Sequence, residues 1–179
     1  MRPPALLTAA LFASALSAQN FTLKSADLGG QATDKQVYNN FGCTGQNLSP
    51  NLVWVNPPAG TKSYAITLYD PDAPTGSGWW HWVVFDIPVG VTSLQSGAGS
   101  AGHTGMPAGA IQSMTDFGGP GYGGPCPPPG DKPHRYILTV YALSKDKLGL
   151  DAKAAAPMVG FAVNQCTLAQ ATLVFYCAR

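Results

Sequence analysis

Glutamate is absent from this 179-residue chain, and charged residues of all kinds make up only 11% of it. So little charge, beside 45% apolar residues, excludes a disordered chain, which combines low hydrophobicity with high charge. No basic run interleaves with aromatic residues, so nucleic acid is not an expected partner. No apolar stretch reaches the roughly 20 residues that a membrane-spanning helix takes. No two cysteines stand at CxxC spacing, which argues against a zinc site, and neither a Walker-type loop nor a GxSxG elbow is present. Residues 119–124 (GPGYGG) formally match GxGxxG, but no helix N-terminus follows to receive a pyrophosphate. No metal or cofactor is expected. Helix-like periodicity is scarce as well: Pro157 can open one helix over residues 158–170, and residues 152–156 can add a short turn.

The N-terminus reads as a secretory leader over residues 1–18. Arg2 is a minimal positive region, residues 5–16 form a short apolar run, and the small residues Ser17 and Ala18 follow. Without Arg2 the formal charge of +1 falls to zero. Residues 19–179 have the length of one domain. Export to a periplasmic or extracellular compartment fits the four remaining cysteines, an even number suited to an oxidising environment. Cys43, Cys126, Cys166 and Cys177 allow three pairings, and spacing does not choose among them.

What is present is a set of short strands. Residues 63–69 (SYAITLY), 81–87 (HWVVFDI) and 136–143 (YILTVYAL) are rich in β-branched and aromatic residues and bounded by Pro, Gly or Asp. Residues 21–24, 52–55 and 172–176 are further candidates. Long Gly/Pro-rich connections, residues 96–109 and 118–130, are too long for hairpin turns and fit functional or wrapping loops. The fold class is mainly β, without the strand–helix alternation of a parallel sheet.

Ionisable groups gather at the mouths of these strands. Asp70-Pro71-Asp72 ends one strand, His81 opens the next within Trp-Trp-His-Trp, and His134-Arg135-Tyr136 opens a third. Residues two apart in an extended segment share a side, so Asp70 and Asp72 can face one cavity. Asp-Pro-Asp is more often a turn cap, and a single histidine among aromatics more often a core residue. Two aspartates, two histidines and a tyrosine, all at strand–loop boundaries, are less easily independent. Alternation places His81, Val83, Phe85 and Ile87 on one strand face and turns Arg135 away from Tyr136. A strand ending in DxD also resembles the haloacid-dehalogenase nucleophile motif. That fold alternates strands with helices, and its motif continues with Gly-Thr where this chain has Ala73-Pro74.

DPDAP, GxxHWVVFDIP and GPxPPxGxxxHRY, in that order, resemble the phosphatidylethanolamine-binding protein family in its exported, Raf-kinase-inhibitor-like bacterial branch. The resemblance implies a Greek-key antiparallel fold of two sheets with one or two short late helices. It implies a small pocket for phosphate-type anions or phospholipid headgroups, formed by Asp70, Asp72, His81, Pro128, His134 and Tyr136. It also implies a Cys43–Cys126 bridge, which leaves Cys166 and Cys177 as a possible second pair. The expected function is a secreted, non-enzymatic binding module for a small anionic ligand. An inhibitor module acting on a protein partner, and an enzyme using the Asp/His pocket for acid–base chemistry, are the alternatives. Neighbouring aspartates are expected to favour protonated histidines, which would then hold the anion.

Overall fold

Alternating apolar residues around position 66 become the centre of the molecule. In the computed structural model, which describes residues 20–179, eight strands and one helix follow in chain order. They are β1 (Thr22–Lys24), β2 (Leu52–Val55), β3 (Ser63–Asp70), β4 (Trp79–Pro88), β5 (Ser93–Leu94), β6 (Ile111–Gln112), β7 (His134–Leu143), α1 (Ala156–Asn164) and β8 (Thr167–Cys177). The leader expected at residues 1–18 lies outside the described residues.

Two antiparallel sheets result, of order β6-β4-β3-β7-β8 and β1-β2-β5. Strand β7 returns past β6 to lie beside β3, which gives the Greek-key order. One core lies between the sheets, where Leu52 and Trp54 of β2 meet Tyr64, Ile66, Leu68, Trp82, Leu138 and Val140. A second core covers the other face, where Val83, Phe85 and Leu143 pack on Val159 and Val163 of α1. Strands β3 and β4 are therefore buried on both faces. Each such side chain stabilises the fold by about 1.5–3 kcal/mol through burial.

Three expectations need correction. The helix stops at Asn164 instead of running to residue 170, because the chain from Thr167 onward pairs along the whole of β7, from Leu143↔Thr167 to His134↔Cys177. Pairing of a full-length strand overrides the local helical pattern of a breaker-free segment. Ile87 does not share a face with Val83 and Phe85 but joins Trp82 and Val84 in the inter-sheet core. Asp86 takes the left-handed backbone conformation (φ 57°), and the register slips between Tyr64↔Ile87 and Ile66↔Val84. That bulge inserts one residue and flips the alternation. Finally, Cys166 and Cys177 are free thiols. They flank opposite ends of β8, and eleven extended steps put them more than about 30 Å apart, far beyond the reach of a disulfide. Cys43 and Cys126 are bridged, as the resemblance implied, and close a loop across a separation of 83 residues.

Candidate functional site

The C-terminal end of β3, the start of β4 and the start of β7 lie side by side at one end of the large sheet. Asp70 is the last residue of β3 and is buried. Its Oδ1 accepts hydrogen bonds from the backbone N–H of Asp72 (2.8 Å) and Ala73 (3.1 Å), capping the turn that begins at Pro71. Its Oδ2 accepts from Nδ1 of buried His134 at 2.8 Å. The His134 Nε2 lies 3.3 Å from Oδ2 of Asp131, which is partly exposed.

His81 reaches the same end through a second bulge. The register passes from Leu68↔Trp82 to Tyr69↔Trp80 and leaves His81 without a pairing partner. A bulge re-aims the side chain it carries. His81 packs edge-on against Tyr136 (centroids 5.1 Å) and Phe117 (5.3 Å), and its Nδ1–H donates to the Gly123 carbonyl at 2.8 Å. Nδ1 is thereby the protonated nitrogen, and Nε2 is left as an acceptor with no hydrogen bond among the described residues. Burial pushes the His81 pKa down to about 4, against the opposing pull of the Gly123 carbonyl and the Asp70 charge. The expectation that aspartates would keep this imidazole charged is overturned, because desolvation outweighs them. Tyr136 lies behind the pair; burial, reinforced by the Asp70 charge, raises its pKa and keeps the phenol a donor.

Asp70, His81, His134 and Tyr136 line a pocket of about 160 Å³ whose remaining wall, Thr75 apart, is mostly apolar. Pro128 lies there, as the resemblance implied, together with Phe41, Trp79, Phe117 and Pro127. Of the six residues singled out from sequence, Asp70, His81, Pro128, His134 and Tyr136 meet at this pocket, and Asp72 does not. The turn after Asp70 ends the extended geometry that would have aligned the two carboxylates. Asp72 instead accepts from Nε and Nη2 of Arg135, both at 2.9 Å, and from the Arg135 backbone N–H at 2.9 Å. The hydrogen bonds from the Arg135 guanidinium and backbone hold the Asp72 carboxyl well below the usual carboxylate range. Asp72→Asn is expected to leave ligand affinity unchanged and to lower thermal stability slightly, since half-exposed ion pairs are screened. A titration showing lost affinity in that variant would return Asp72 to the pocket.

Sequence reasoning missed Asp131, Phe41, Phe117 and Trp79 as parts of the site. Asp131, three residues before His134, was detectable by spacing. Phe41 and Phe117 come from irregular loops where no period applies. A Cβ on Gly124 would run into the Gln36 carbonyl, so a glycine is required where the loop carrying Gly123 passes the segment before Phe41.

An antiparallel two-sheet scaffold holding a buried Asp–His pair and a second, neutral histidine at a small aromatic pocket defines a recognisable class. A sequence profile described as phosphatidylethanolamine-binding protein matches residues 26–178, and the chain belongs to that family. Among its relatives, the UPF0098 protein YbcL of Escherichia coli K12 is 46% identical over 162 residues, covering 90% of this chain and 88% of YbcL. The crystal structure of E. coli YbcL superposes with a TM-score of 0.87, over 89% of this chain and 98% of that one. The E. coli UPF0098 protein YbhB is 49% identical over 145 residues, covering 81% of this chain and 90% of YbhB. A Mycobacterium tuberculosis protein, LppC, whose name classes it with lipoproteins, is 37% identical over 75% of this chain and 62% of its own length.

Proposed function

We propose that this protein is an exported binding module whose pocket takes a small, singly protonated oxyanion of the phosphate-monoester type, without turning it over. The observation that carries the reading is a pair of unspent hydrogen-bonding groups among the pocket's residues. Among the described residues, His81 Nε2 is an acceptor with no hydrogen-bond partner, and Trp79 Nε1–H is a buried donor with none. Buried polar groups are rarely left unpaired, so a ligand carrying both donor and acceptor oxygens suits them. A phosphate monoanion has one P–OH to donate to His81 Nε2 and further oxygens to accept from Trp79 and from His134, in competition with Asp131. The Asp70 charge does not repel such a ligand strongly, because two backbone N–H groups and His134 already bind it.

Size and lining set the rest of the ligand. The pocket is well below the roughly 300–1,000 Å³ of sites that enclose drug-sized molecules, so it admits a headgroup and leaves any longer substituent outside. Phe41, Phe117 and the prolines favour an apolar atom group next to the oxyanion. Binding without catalysis is supported by the state of the nucleophiles at the pocket. Thr75 Oγ1 donates to the Gly78 carbonyl, and Cys126 is bridged. Export is supported by the bridge itself, since such bonds persist in oxidising compartments.

Calorimetric titration with phenyl phosphate between pH 5.5 and 8.5 tests the reading. The bound state keeps one proton between ligand and His81, whereas free phosphate monoesters lose theirs above about pH 6. Affinity is therefore expected to fall as pH rises, by up to about tenfold per unit above that point. Affinity that is flat or rises with pH would defeat the shared-proton arrangement.

A further inference from the structure

The wall of the pocket that carries Phe41 is held by the bridge and by Arg179. Phe41 has a left-handed backbone (φ 54°), followed by Gly42 at φ 81°, and the residue is 60% exposed while its ring stacks on Phe117 at 5.9 Å. A bulky residue in that conformation persists only where its surroundings impose it. Three restraints do so here. The Phe41 N–H donates to Asn40 Oδ1 (2.8 Å), its carbonyl accepts from Arg179 Nη1 (3.2 Å), and Cys43, two residues on, is bridged to Cys126, itself part of the pocket lining. The same Arg179 Nη1 lies 3.1 Å from the Cys43 sulfur and 3.4 Å from that of Cys126.

We infer that Cys43–Cys126 is a redox-controlled clamp on the ligand pocket, with Arg179 and Phe41 as its positioning residues. The inference rests on the oxyanion reading above and adds its regulation. A dithiol reductant of the extracytoplasmic space opens the clamp. Its thiolate attacks Sγ of Cys126, the more exposed sulfur, forming a mixed disulfide and expelling Cys43 as a thiolate beside the Arg179 guanidinium. The second reductant thiol, as thiolate, then displaces Cys126. Two electrons and two protons pass to the protein, and the reductant leaves as a disulfide. A guanidinium against the leaving sulfur favours the thiolate and hence the reduced form. Once cut, the bridge no longer imposes the left-handed turn, Phe41 relaxes off Phe117, and the apolar wall opens.

The test compares phenyl phosphate affinity in oxidised and dithiothreitol-reduced protein, with folding followed by near-ultraviolet circular dichroism. Reduction is expected to weaken binding by at least about tenfold, through loss of a preorganised wall. Equal affinity in the two folded forms overturns the clamp. If reduction unfolds the chain, Phe41→Ala with the bridge intact decides: it should lose a similar factor, and full affinity overturns the proposal. In glutathione redox buffers, Arg179→Gln is expected to need at least about threefold more reducing conditions for half-reduction, whereas an unmoved midpoint overturns the role of Arg179. Failure of phenyl phosphate to bind either form defeats the oxyanion reading alone. The clamp then stands or falls on whether reduction shifts the His81 and His134 ring-proton resonances.

Discussion

Asp70→Ala is expected to destabilise the protein by about 3–5 kcal/mol, the combined effect of leaving three hydrogen-bond donors without their buried carboxylate acceptor. Three interactions end together in that variant. His134 loses the acceptor of its Nδ1–H, and the N–H groups of Asp72 and Ala73 lose the cap that turns the chain after β3. His134 is buried, so its Nδ1–H is left without an acceptor at low solvent exposure. Asp70→Asn separates the contributions, because the amide oxygen can still cap the turn while the charge opposite His134 is gone. Urea unfolding at pH 7 measures both variants. A loss below about 1 kcal/mol for Asp70→Ala would mean that the pair is solvated, contrary to the geometry.

Acid is expected to remove about 3 kcal/mol of stability through His81 alone. The unfolded chain takes up this proton near pH 6.5, whereas the folded protein holds His81 neutral down to about pH 4. Between those values the unfolded state binds more protons, so stability falls as pH falls, at up to about 1.4 kcal/mol per unit. The contribution is complete above pH 6.5 and lost by about pH 4. Asp72 acts in a separate window: its depressed carboxyl stabilises the fold above its ordinary value, and that share is lost only as pH drops below about 4. Chemical denaturation at pH 7 and pH 4.5 should show a steep loss that His81→Phe largely removes. Equal pH dependence in the variant would show that burial does not govern this imidazole.

How far the sequence foretold this site follows from what local patterns can encode. Period-two alternation correctly turned Arg135 away from Tyr136, because β7 pairs with β8 without a register shift from His134 to Ala142. The same reasoning failed at Asp72, where the strand had already ended, and at Ile87, where the Asp86 bulge shifted the count. It could not find His81's charge state, since the ring's burial is created by Phe117 and Tyr136 from distant parts of the chain. Phe41 was invisible for a related reason. Its place at the pocket depends on a bridge to Cys126 and on Arg179, 138 residues away. The helix–strand boundary after Asn164 was likewise set by pairing with β7, a tertiary demand that no window around residue 165 records.

The proposed oxyanion sits between the two imidazoles of His81 and His134, and exposed His103 provides an internal control. Long-range proton–nitrogen correlation spectra of the three histidines, recorded during a phenyl phosphate titration at pH 6, observe those nitrogens directly. Saturable movement of His81 Nε2 toward a hydrogen-bonded shift, together with His134 and without His103, is the result expected. Histidine signals that stay in place, or that drift equally in all three rings, would contradict it.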